Sequence, residues 1–168
     1  PSDLVDGEFL PLVILGFKAA YDKVYYAEAY DPSQTDAKAP TCSSIDGIKP
    51  DSGITSPQCS TCAACPMNAF GSGRNQAGQP TKGKACSDNK IIAVMYKGGI
   101  YRFKIPPASL RNFGAFIKDF RARSEGQLPP HYVLTYVGFD EKADFSVLTF
   151  KVGDFVPEKA LGKIVRMT

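Results

Sequence analysis

Five cysteines fall between Cys42 and Cys86, and Cys59, Cys62, Cys65 and Cys86 carry the closest metal-ligand spacing. Thiolates separated by two residues can turn two sulfurs toward one ion, and a distant cysteine completes the tetrahedron that zinc prefers. Four protein thiolates leave no coordination position for water or substrate, so such a site holds a fold together rather than catalysing. The odd count and the absence of an N-terminal apolar run argue against a secreted disulfide framework. An iron–sulfur cluster and a redox Cys-x-x-Cys are the other readings of the spacing. One thiol of five is spare, and the residues alone leave Cys42 and Cys59 competing for the fourth ligand position.

The cysteines sit where ordinary packing is scarce. From Phe9 to Tyr30 the chain is apolar and β-prone. From Asp31 to Lys90 it is rich in Gly, Pro, Ser, Asn and Gln, and from Ile91 it is β-prone again. A long stretch with few large aliphatics must be cross-linked by something other than a core, and zinc would supply that link. The expected organisation is one domain over residues 1–168, with a zinc-binding insertion over residues 31–90.

Around the insertion the pattern has period two. Phe9 to Ala19 and Val24 to Tyr30 read as strands joined by the turn at Tyr21-Asp22-Lys23. Ile91 to Tyr96 and Ile100 to Ile105 read as a hairpin across Lys97-Gly98-Gly99. The period then changes: Leu110, Phe113, Ile117 and Phe120 recur at helical spacing behind Ser109, a residue suited to an N-cap. Gly126 and Pro129-Pro130 end the helix, and His131 to Phe139 and Phe145 to Val152 read as two more strands. A mainly β chain with one helix between its third and fourth strands has the element order of the OB-fold, a five-stranded Greek-key barrel.

Family resemblance rests on Thr41-Cys-Ser-Ser-Ile-Asp-Gly-Ile-Lys-Pro50, Cys62-Ala-Ala-Cys-Pro66, Phe70-Gly-Ser72 and Gly83-Lys-Ala-Cys86. This pattern resembles small zinc-containing proteins of tailed phages and prophages, several of which are regarded as single-stranded DNA-binding proteins. The layout is also similar to the core of the T4-type phage single-stranded DNA-binding protein, which sets a zinc subdomain into an OB-fold. That second likeness is architectural only, because those proteins use a His ligand and the one histidine here, His131, lies outside the insertion. The resemblance implies Cys42, Cys62, Cys65 and Cys86 as the zinc ligands. It also implies a role in DNA replication or recombination, in the cytoplasm of an infected bacterial host.

Single-strand binding needs cations that follow phosphates and aromatic faces on which bases stack. Tyr25, Tyr26, Tyr30, Phe70, Tyr101 and Tyr136 are the stacking candidates, and Arg74, Lys82, Lys84, Lys97, Arg102 and Lys104 the phosphate candidates. Tyr101, Phe103 and Ile105 facing inward, with Arg102 and Lys104 outward, is equally the pattern of an ordinary half-buried strand. The net charge of +3 permits an anionic partner without demanding one. RNA would suit the same surface.

Enzyme readings lack their parts, since His131 stands alone, no carboxylates are spaced around a magnesium site and no phosphate-binding loop is framed. No membrane span is expected, because the most apolar run, Leu10 to Phe17, is short and contains Pro11 and Gly16. The alternative function is a non-catalytic zinc module that docks on a protein such as a polymerase or nuclease.

Overall fold

The computed structural model describes residues 9–28, 38–75 and 77–164. Its elements in chain order are β1 (Leu10–Phe17), β2 (Asp22–Tyr25), β3 (Cys42–Ser44), β4 (Cys86–Tyr96), β5 (Gly99–Ile105), α1 (Leu110–Arg123), β6 (Val133–Phe139), β7 (Leu148–Phe155) and α2 (Glu158–Ile164). The protein is mainly antiparallel β-sheet with few helices. No helix of the described residues is long and apolar enough to cross a membrane. The chain divides into two compact units, one formed by Pro1–Lys18 with Lys90–Thr168 and the other by Ala19–Asn89.

In the first unit the strand order is β5-β4-β1-β6-β7, antiparallel throughout. Alternation sets the faces. Leu10, Leu12, Ile14, Ile92, Val94, Val137 and Leu148 point into one core with Phe113, Phe116 and Ile117 of α1. On the opposite face Val13, Leu15, Met95 and Leu134 pack against Val156, Ala160, Leu161 and Ile164 at the C-terminal end. Because β1 buries side chains on both faces, it reads as a near-continuous apolar run rather than an alternating one. At the hairpin tip, Lys97 and Gly98 both take positive φ, 47° and 80°, the geometry of a two-residue turn that matches strand twist.

The helix Leu110–Arg123 seats Phe113 edge-on against Phe17 and Phe150, each 5.3 Å away between centroids. Ser109 occupies the N-cap position but makes no side-chain cap bond. Its fully buried hydroxyl instead accepts the Leu148 N–H at 2.9 Å, while Asn112 Nδ2 donates to the Leu148 carbonyl at 2.9 Å. Both free backbone groups of the first β7 residue are thus satisfied by the helix start. At the other end, Gly126 N–H returns to Arg121 O at 2.9 Å with φ at 73°.

Three expectations change. The strand at Val24 does not form a hairpin with β1, whose partners are β4 and β6. It is the four-residue β2, which pairs with β3 on one side and with Cys86–Asn89 of β4 on the other. The sheet is not closed: among the described residues its outer strands β5 and β7 do not pair with each other. The His131 strand begins only at Val133, because Pro130–Tyr132 forms a 3-10 turn with Pro129 in extended conformation before it.

The second unit is built differently. Its small sheet is β3-β2-β4, and from Ile45 to Ala85 the described chain is turns, one 3-10 turn at Pro66–Asn68 and an isolated bridge between Arg74 and Pro80. Cys62 and Cys86 are its only buried apolar side chains among the described residues. Both hydrophobic clusters belong to the first unit.

Candidate metal centre and nucleic-acid interface

Register places the first two thiols. Tyr25 on the central strand stands opposite Cys42 of β3 and Cys86 of β4, so all three side chains share one face of the small sheet. The loop that brings the other thiols is fixed by two aspartates. Asp46 Oδ1 accepts the Ile48 N–H at 2.8 Å and the Lys49 N–H at 3.2 Å. Asp51 accepts Ile45 N–H at 2.9 Å and the Ser43 hydroxyl at 2.6 Å. The Ile48 and Lys49 amides, and after them the Ser44 hydroxyl, hold Asp46 below the usual carboxylate range. Gly47 makes the turn at φ 71°, where a Cβ would stand 2.6 Å from the Tyr21 carbonyl oxygen. Ile48 O then accepts the Cys62 N–H at 2.8 Å, and Asn68 Nδ2 donates to Cys62 O at 2.9 Å.

All five cysteines line one cavity of about 20 Å³, together with Lys23, Tyr25, Met67 and Asn68. That is room for a single ion- or water-sized body. All five are free thiols. As they stand, no three His, Cys, Asp or Glu side chains among the described residues are gathered into a group that could hold a metal ion. Burial pushes the Cys86 thiol up to about 11; Lys23 pulls the other way, and the nearby Cys65 and Cys62 push further up.

Beside the thiols lies a small charged network. Lys23 Nζ donates to Asp88 and, at 2.9 Å, to Asn68 Oδ1, while Lys84 Nζ donates to the other Asp88 oxygen at 2.8 Å. Burial works against the Asp88 charge, but the two lysines outweigh it and hold the carboxyl below its ordinary value. Lys84, expected to meet phosphate, is therefore engaged with Asp88, and its ammonium also lies 5.0 Å from the Phe70 ring centroid. Phe70 itself is 81% exposed, in a turn whose neighbours Arg74 and Lys82 are exposed as well.

The other expected contacts separate by environment. In the second unit Tyr26 is exposed, whereas Tyr25 is half-buried in the thiol cavity wall; Tyr30 lies outside the described residues. In the first unit Arg102 and Lys104 are exposed and share a face, opposite Ala93 and Ile91. Lys97 is exposed, with its ammonium 5.0 Å from the Tyr96 ring. Tyr101, on the other face, stays 54% exposed, its ring folded over Gly99, where a Cβ would meet it at 2.8 Å. Tyr136 is half-buried with its ring against Gly153. Sequence reasoning did not single out Lys23 or Asn68, for a lone lysine in a short strand carries no signal until the fold sets it beside Asp88.

No protein-family model, curated protein or solved structure matches this chain.

Proposed function

We propose that this protein binds single-stranded DNA with little sequence preference and no catalytic step, on a zinc-stabilised OB-type scaffold. Phe70 carries the reading. A phenylalanine 81% exposed contributes little to its own unit's packing, and the exposed cations Arg74 and Lys82 lie near it in the chain, while Lys84 over its ring is already paired with Asp88. The scaffold argument is supported by the ladder order β5-β4-β1-β6-β7, with α1 between β5 and β6. An OB barrel has the same pairings plus one between its third and fifth strands.

Thiolates are donors that zinc prefers, and the cysteines lining the cavity would have to close in on a bound ion. Cys42, Cys62, Cys65 and Cys86 would hold it, with Cys59 as the fifth thiol at the same cavity. A bound ion would replace neighbouring thiol protons and supply the cross-link that two buried apolar side chains cannot. The biological role consistent with such a protein is protection of transient single strands in replication or recombination.

A second reading is docking on a protein such as a polymerase or nuclease, favoured by Ile48, 67% exposed, and Ile45, 49% exposed, in the second unit. Anisotropy of a labelled oligo-dT, with a matching duplex as control and salt varied between about 50 and 200 mM, separates the two. Each phosphate contact adds about −0.7 to the log–log salt slope, so engagement of Arg74 and Lys82 gives a slope of about −1.4 or steeper. Phe70→Ala should weaken binding by about 1–3 kcal/mol without lowering the unfolding midpoint. A zinc-loaded, folded sample that ignores the oligonucleotide at low salt would leave protein docking as the function.

A further inference from the structure

The sheet of the first unit has an outer face that is treated in two ways along its length. Where its side chains are aliphatic, at Val13, Leu15, Met95 and Leu134, it is covered by Ala160, Leu161 and Ile164 of α2. Further along the same strands that apolar cluster ends, and among the described residues Phe9 on this face is 42% exposed. Pro11 of β1, Tyr136 of β6 and Lys151 of β7 stand in one row, and Leu10 opposite Val137 puts Phe9 beside Gly138 in the next. By alternation these residues point away from the core of Leu10, Leu12, Val137 and Leu148.

Two glycines let the aromatic rings lie down on this face. A Cβ on Gly138 would stand 2.8 Å from Phe9 Cδ1 and Cε1, and one on Gly153 would stand 2.3 Å from Tyr136 Cε2. Each ring therefore has one part against bare backbone. Phe9 is 42% exposed, and the Lys151 ammonium, on an exposed side chain, lies 4.2 Å from its ring centroid. Phe9 and Tyr136 are diagonal neighbours on adjacent strands, a spacing of about 7–8 Å between backbones, which suits two separate ring contacts.

We infer that Phe9, Tyr136 and Lys151 form a second stacking site, which takes unpaired nucleobases and an adjoining phosphate of a single strand. This rests on the single-strand reading above and adds to it a site in the other compact unit. An arriving base replaces the ammonium on the Phe9 ring, and the ammonium moves to the phosphate. An ammonium over an exposed ring gains little, so the exchange costs little. A duplex cannot use the site because its base faces are already stacked.

The test is oligo-dT anisotropy with Phe9→Ala, Lys151→Gln and, for reference, Phe70→Ala. Phe9→Ala should bind about tenfold more weakly or worse. Lys151→Gln should flatten the log–log salt slope by about 0.7, a readout that a loss of packing would not produce. If Phe9→Ala does not fold, the exposed Lys151→Gln decides alone. Wild-type affinity and slope in the folded variants, with Phe70→Ala still weakened, would overturn this site and leave the proposed function standing. A wild-type protein that does not bind oligo-dT at all would overturn both.

Discussion

Asp46 is one of two carboxylates that organise the approach to the thiol cavity. It accepts the Ile48 and Lys49 amides, and Ser44 Oγ lies 2.9 Å from the same oxygen. Its native pKa is lowered, so the charge contributes stability fully at pH values above the unfolded value of about 3.9. That contribution is lost as pH falls through the lower native value. Asp46→Asn should therefore unfold more readily than wild type at neutral pH, and the difference should vanish in strong acid. Denaturant midpoints taken across pH 2–7 check this; a gap independent of pH would show that the turn needs the side chain's shape rather than its charge. Such a role was not legible beforehand, because Asp46 looks like any aspartate in a Gly-containing turn until its acceptors are located. The cysteines stood out by their spacing, and all five line one cavity, although no three of them among the described residues are gathered as a metal-holding group. Tyr25 was the opposite case, an aromatic whose type fits stacking but whose register sets it between Cys42 and Cys86.

Between elements, Ser109 joins α1 to β7. Sequence patterns place a serine there as a cap, yet its hydroxyl accepts the Leu148 amide and no helix amide. Ser109→Ala should cost about 1–3 kcal/mol by leaving a buried N–H without a partner. Ser109→Asp distinguishes the two roles by chemical denaturation: it would rescue a cap but here must bury a carboxylate at a fully buried position, and is expected to be worse than alanine. The hairpin β4–β5 and the helix could be read from the chain because their signals are local: a Lys-Gly-Gly turn and a 3.6-residue period. Strand partners could not. The Val24 segment follows β1 after a short turn, but both edges of β1 are taken, by Ile92–Phe17 pairing on one side and Leu10–Val137 pairing on the other. The polar residues Ser87, Asp88 and Asn89 hid the first part of β4, since a ladder made by backbone groups needs no apolar alternation. The short α2 was missed for a different reason: its Ala160, Leu161 and Ile164 matter only once there is a sheet face for them to cover.

Across the whole molecule, the two compact units rest on different kinds of stabilisation. Among the described residues the first has two clusters of buried apolar side chains; the second has Cys62 and Cys86, the β3-β2-β4 ladder, turn hydrogen bonds and the Lys23–Asp88–Lys84 network. If zinc is the missing core, removing it should unfold the second unit alone. Hydrogen exchange after chelation resolves this by residue. The Cys62 and Asp51 amides, bonded to Ile48 O at 2.8 Å and Ser43 O at 2.9 Å, should lose protection, while Ile92 and Val94 keep theirs. The sharpest consequence falls within one strand, for β4 gives Cys86–Asn89 to one unit and Lys90–Tyr96 to the other. Protection along it should break between Asn89 and Lys90 in the chelated protein and run unbroken in the loaded one. Equal protection on both sides after chelation, with metal analysis confirming removal, would mean that the turns and thiols of the second unit hold without an ion. The ion would then be bound there without carrying the fold of the second unit.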